Sequence, residues 1–158
     1  MSKSSHLLGF TLIELLVTIT IVLLLSTGGF VSYQTFNKRQ NLIQSGKQMY
    51  QVMRTAQSKR QAGDKPVVCG ANELLSYGVQ GVAGATGVSL VVHCQGVDST
   101  VGNYPLNRGI TVKNSFDVRF VGLYGGVNAA TDVAVTSGTS DYVVSAAQGG
   151  SVTDVGIQ

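Results

Sequence analysis

The chain holds few residues that could do chemistry, and the most telling is a lone acid. Glu14 lies inside the stretch 10–31, FTLIELLVTITIVLLLSTGGFV, and is the single charge there. A carboxylate at the middle of a bilayer costs roughly 2.5–3.5 kcal/mol on insertion scales, less near a helix end, and an intramembrane acid is by default a functional group. Two thiols, Cys69 and Cys94, offer three readings: a disulfide, two free structural thiols, or a nucleophile. His93 is next to Cys94, but adjacent side chains on a strand point to opposite faces, so the two would not form a dyad. Structural zinc sites want four Cys or His ligands, and this chain has two of each in all, so a rich metal site is not expected. The chain has no HExxH, no G-x-S-x-G and no D-x-D-x-D spacing. Asp98, Asp117, Asp132, Asp141 and Asp154 fall singly, at positions that suit turns or strand ends. The expectation is a protein that is not an enzyme, with no catalytic residues, no cofactor and no metal.

The elements that hold these residues follow from how apolar residues are distributed. The 158 residues suit one modest domain, with 44% apolar and only 12% charged positions and a net charge of +3. That balance excludes wholesale disorder, and the small net charge does not by itself point to nucleic acid. As a helix, 10–31 would be about 33 Å long, enough for a hydrocarbon core of about 30 Å. A cleavable secretory signal is the competing reading, with Lys3 as a thin basic region and Ser26-Thr27-Gly28 as a poor cleavage site. Glu14 within the apolar run argues against it.

From Gln34 to Ala62 there is no Pro and good helix formers dominate. Leu42, Gly46, Met49, Met53 and Ala56 recur at spacings of three and four, which predicts a face that packs on a sheet. Gly63 takes a C′ position and Pro66 follows. Seven basic residues (Lys38, Arg39, Lys47, Arg54, Lys59, Arg60, Lys65) lie between 38 and 65, opposed only by Asp64. A solvated helix face explains them; contact with lipid head groups near 38–39 or with an acidic partner are the alternatives. Beyond Pro66, β-type runs are expected at 66–69, 88–94, 109–112, 115–120, 132–136, 141–145 and 151–157, with a loop or irregular hairpin over 71–87. The predicted fold is α+β: a long N-terminal helix, transmembrane and then amphipathic, packed on a C-terminal antiparallel β-sheet domain.

The string Gly9-Phe10-Thr11-Leu12-Ile13-Glu14, followed by an unbroken apolar run, resembles the processing site of type IV pilins and pseudopilins. The resemblance implies a leader over 1–9, cleavage by prepilin peptidase between Gly9 and Phe10, and methylation of the new N-terminus at Phe10. Glu14 then stands as the fifth mature residue and serves assembly. It implies a transmembrane and assembly helix over 10–33, an amphipathic continuation over 34–62 and a β-rich globular domain over 63–158, the pilin fold. The implied location is the cytoplasmic (inner) membrane, single-pass with the globular domain outside the cytoplasm, and then a pilus or pseudopilus filament. Implied partners are prepilin peptidase, other pilin or pseudopilin subunits, the inner-membrane assembly platform, and membrane lipid before assembly. A domain outside the cytoplasm favours a Cys69–Cys94 disulfide, worth about 3–4 kcal/mol on the chain-entropy model.

The stretch 49–58 followed by Lys65-Pro66-Val67-Val68-Cys69 is similar to the helix end and first strand of the GspH/FimT group of minor pseudopilins and pilins. Phe120–Gly125 and a closing hairpin over 141–157 fit the same group. The function implied is that of a minor pilin or pseudopilin in pilus biogenesis or type II secretion, with the major pilin of a thin fibre as an alternative. Some members bind DNA through basic residues of the final hairpin. Here no Arg or Lys follows Arg119, which argues against DNA as a partner.

Overall fold

The computed structural model describes residues 10–122 and 126–158, the side chains of 27–32 excepted. The leader expected over 1–9, Gly9 included, lies outside the described residues, as do Leu123–Gly125 of the turn after Phe120. Helix α1 spans Leu12–Gln61. Among the described residues nine strands follow: β1 Leu74–Gly81, β2 Gly87–Cys94, β3 Val97–Pro105, β4 Thr111–Val112, β5 Phe116–Val121, β6 Gly126–Val127, β7 Thr131–Thr136, β8 Asp141–Ala146 and β9 Val152–Ile157. The chain divides into two units, Met1–Asn37 and Lys38–Gln158.

In the first unit the described side chains of Leu12–Ser26 are all exposed. Among the described residues no helix is long and apolar enough to cross a membrane. The side chains described before 27–32 end at Ser26, and at 1.5 Å per residue 12–26 covers only about 22 Å.

The second unit is α+β, a helix packed on antiparallel sheets. Sheet A runs in the order β3-β2-β1-β5-β6 and sheet B in the order β4-β7-β8-β9. All pairings are antiparallel. The helix buries the stripe expected from its spacing, Leu42, Met49, Met53 and Ala56, with Val52 added. It meets Tyr77, Val79, Leu90, Val118 and Phe120 from sheet A and Val133, Val135, Tyr142 and Val144 from sheet B in one core. Neither sheet could bury its inner face alone, so the helix supplies the second layer for both. A polar seam fixes its placement: Ser45 Oγ accepts from the Asn107 amide at 3.0 Å, and Gln57 Nε2 donates to the Gly150 carbonyl at 2.7 Å.

The helix ends one residue before the expected Ala62. Gly63 takes φ 64°, its amide bonds the Arg60 carbonyl, and the Asp64 amide bonds the Lys59 carbonyl. This is a Schellman ending, with glycine where a left-handed residue is required.

Several strand expectations need correction. Residues 66–69 are not a strand: Val67–Cys69 forms a 3-10 turn, closed by the Cys69 amide on the Pro66 carbonyl at 3.0 Å. Pro66 has no N–H to give a ladder, and Cys69 is tied elsewhere by its sulfur. Of the loop or irregular hairpin expected over 71–87, the hairpin is found: β1, the central strand of sheet A, pairs antiparallel with β2 through a register shift between Leu74 and Ser76. The burial of β1 is nearly continuous, which removes the alternation by which half-buried strands are read. A Cβ on Gly78 would come within 2.9 Å of the Val118 carbonyl oxygen, so glycine there marks a close approach of β1 and β5. Strand β3, not foreseen, is an edge strand of mixed polar composition. The run at 109–112 shrinks to Thr111–Val112.

Candidate functional site

The N-terminal stretch holds the predicted site residues Phe10 and Glu14. Phe10 precedes the helix and is 79% exposed. Thr11 is the N-cap: its Oγ1 accepts from the Glu14 amide at 3.3 Å, and Glu14 is the acid of the first turn. The spacing Thr-x-x-Glu is that of a capping box, and a carboxylate here also faces the positive end of the helix dipole. The sequence carried this signal openly, yet Thr11 was not singled out. Glu14 thus supplies its backbone amide to the Thr11 cap, and its carboxylate sits in the first turn, where the helix dipole favours negative charge.

The rest of the segment exposes mostly apolar side chains. Leu12, Leu16, Ile19, Val22, Leu23 and Leu25 are each half or more exposed, and they point to all sides of the helix. The hydroxyls between them are internally satisfied. Thr18 Oγ1 donates to the Leu15 carbonyl at 2.9 Å, Thr20 Oγ1 to the Val17 carbonyl at 2.8 Å, and Ser26 Oγ to the Val22 carbonyl at 2.7 Å. A helix that is apolar all round is stable only when other apolar groups surround it. With every described hydroxyl of 12–26 turned back on the backbone, Glu14 is the one ionisable side chain in the segment.

Cys69 and Cys94 form a disulfide with Cα atoms 5.7 Å apart, both 2% exposed or less. It ties the 3-10 turn to the end of β2. His93 is kept apart from it: Cys94 belongs to the core between helix and sheets, whereas His93 points to the opposite face of sheet A. There Nδ1 lies 2.8 Å from Asp98 Oδ1, and Nε2 is buried near Gly78 and the Arg119 stem. Arg119 lies 2.6 Å from Asp117, whose carboxylate raises the guanidinium's pKa. The row joins one ion pair, Arg119–Asp117, with a His93–Asp98 contact on the far face of sheet A. No nucleophile is aligned with it, and among the described residues no group of three His, Cys, Asp or Glu could hold a metal.

Of the helix cations, Lys59 pairs with Asp64 at 2.5 Å, a hydrogen bond that raises its pKa. Arg60 donates to the Leu75 carbonyl at 3.1 Å. Arg54 donates to Tyr50 Oη and Gln57 Oε1, both at 3.1 Å. Lys47 stands exposed. Of the seven basic residues of 38–65, Lys38, Arg39, Lys47, Arg54 and Lys65 are exposed and Lys59 and Arg60 half-buried. No protein-family pattern, curated protein or solved structure matches the chain.

Proposed function

We propose that the chain is a minor pilin or pseudopilin, a filament subunit held in the inner membrane by its N-terminal helix until it is assembled. One observation carries the reading: Leu12–Ser26 is apolar on every side, its hydroxyls are self-satisfied, and its single charge is Glu14 in the first turn. Lipid surrounds such a segment before assembly and the same segments of neighbouring copies surround it afterwards. The apolar run of the sequence continues past the described side chains to Val31, which gives the length a bilayer needs.

In this reading prepilin peptidase cuts between Gly9 and Phe10, and the new amine at Phe10 is methylated. The amine carries a positive charge into apolar surroundings, and so does Glu14 a negative one. Each is costly alone, and pairing offsets part of the cost of both. An incoming copy's amine meets the Glu14 of a copy already in place, so a subunit added in register satisfies an acid that otherwise stays unpaired. The globular unit, with its disulfide, lies outside the cytoplasm, where such bonds persist. The sequence carries no Arg or Lys in the β8–β9 hairpin, and this supports a structural subunit over a DNA receptor.

Incorporation of Glu14→Val tests the reading. The variant inserts in the membrane as well as the parent but is depleted from purified filaments. Normal incorporation would contradict the role given to Glu14.

A further inference from the structure

Where α1 enters the second unit, polar bonds staple it to the loop after β3. Asn107 Nδ2 donates to the Asn41 carbonyl at 3.4 Å and to Gln44 Oε1 at 3.1 Å, and Asn41 Nδ2 donates to the Arg108 carbonyl at 3.4 Å. Arg108, 67 residues away in sequence, is thereby held against the helix. Lys38 stands one turn before Asn41, on the same side. It also lies four residues before Leu42, the first buried residue of the helix, and is exposed because the core ends there. Arg39 is exposed beside it. The turn between β1 and β2 closes the same end of the unit. The Leu106 amide bonds the Thr86 carbonyl at 2.8 Å, the Gly84 amide bonds the Val112 carbonyl at 2.9 Å, and Val82 is 68% exposed.

This end carries positive charge without negative. Among the described residues Lys38, Arg39 and Arg108 take part in no ion pair. The sequence places no acid in 15–63, 82–86 or 105–114, and Lys113, just after β4, is already paired with Asp141. The apolar run of the sequence ends at Val31, seven residues before Lys38, and a chain of that length stretches no further than about 25 Å.

We propose that Lys38, Arg39 and Arg108 bind the phosphate groups of anionic phospholipid at the membrane surface, with Val82 as the apolar contact. The proposal rests on the membrane-held precursor of the filament reading. It adds a lipid contact made by the globular unit, through Arg108, which the helix alone would not supply. Each cation near an anionic surface strengthens attachment about fivefold.

Native mass spectrometry of the full chain in detergent micelles, titrated with phosphatidylglycerol or phosphatidylcholine, tests this. Phosphatidylglycerol binds more tightly, and its binding is weakened about fivefold by Arg108→Gln and about 25-fold by K38Q/R108Q. Lys47→Gln, which alters an exposed cation nine residues further along α1, leaves binding unchanged. Near-UV circular dichroism verifies that each variant is folded. Three results overturn the proposal: equal binding of the two lipids, a loss with Lys47→Gln as large as with Arg108→Gln, or displacement of the lipid by equimolar inorganic phosphate or a short oligonucleotide. Mass analysis of the N-terminus judges the filament reading separately. A chain that begins at Phe10 but holds both lipids alike sinks only the lipid contact, whereas an uncut chain that still needs Arg108 for phosphatidylglycerol keeps the contact and loses the filament reading.

Discussion

A Cβ placed on Gly46 would lie 2.1 Å from Cδ1 of Tyr142, so α1 and β8 touch where the helix has no side chain. The Tyr142 ring fills that notch and is 4% exposed. This contact fixes the helix against sheet B, as the Ser45–Asn107 bond fixes it against the loop after β3.

Gly46→Ala is therefore expected to destabilise the second unit, although alanine is the better helix former. Overpacking of this kind costs about 1–3 kcal/mol. Urea unfolding of the single variant and of G46A with Tyr142→Leu measures it: the smaller side chain recovers part of the loss in the double variant. Additive losses would mean the ring is not what the methyl meets.

The Tyr142 hydroxyl predicts an alkaline limit. Burial, with a hydrogen bond to Asp154, pushes its pKa up to about 12, from an ordinary value of 10.0. Tyr77 is raised in the same direction by burial. A group that holds its proton more tightly when folded contributes stability that is complete below pH about 10 and is lost as pH rises toward 12. Thermal melts from pH 8 to 12 should show that fall, and Tyr142→Phe should flatten it. A melting temperature constant across this window would contradict the assignment.

Reducing the Cys69–Cys94 bond, or replacing both residues with Ala, should cost about 2–4 kcal/mol. Urea midpoints with and without reductant read it. The 3-10 turn loses its tie to β2, so hydrogen exchange should rise first at Val67–Gly70. Protection there that survives reduction would show that Pro66 and the turn's own bonds suffice.

Thr11 and Glu14 separate local from intermolecular roles. Thr11→Val removes the N-cap, worth about 0.5–2 kcal/mol, and should fray the first turn while leaving incorporation into filaments largely intact. Glu14→Gln keeps a side chain of the capping-box type and should leave the helix start ordered, yet reduce incorporation. Amide exchange in micelles reads the first effect and filament content the second. If both variants impair both readouts alike, the acid's task is capping.

The helix and its buried face could be read from the sequence because Leu42, Met49, Met53 and Ala56 keep one period and Gly63 and Pro66 punctuate its end. Strands β7, β8 and β9 were legible for the same reason: each is bounded by turn residues, and β7 and β8 alternate. Strand β1 was legible only as part of a loop or irregular hairpin, since a central strand buried on both faces shows no alternation, and its glycines imitate a loop. Strand β3 hid behind an edge strand's polar composition. The 3-10 turn at Val67–Cys69 was mistaken for a strand because β-branched residues next to a Cys look alike in either state. At the candidate site, the lone acid stood out by contrast with its surroundings. The cap at Thr11 is not legible from the charge of Glu14, because the bond runs to that residue's backbone amide.

The central claim is that a positive chain end, newly made at Phe10, is what Glu14 is kept for. Mass spectrometry of the N-terminal peptide, from protein recovered with its prepilin peptidase present, tests this most directly. The account predicts a peptide beginning at Phe10 and carrying one added methyl group on its amine. A peptide beginning at Met1, or at any residue beyond the apolar run, would contradict it.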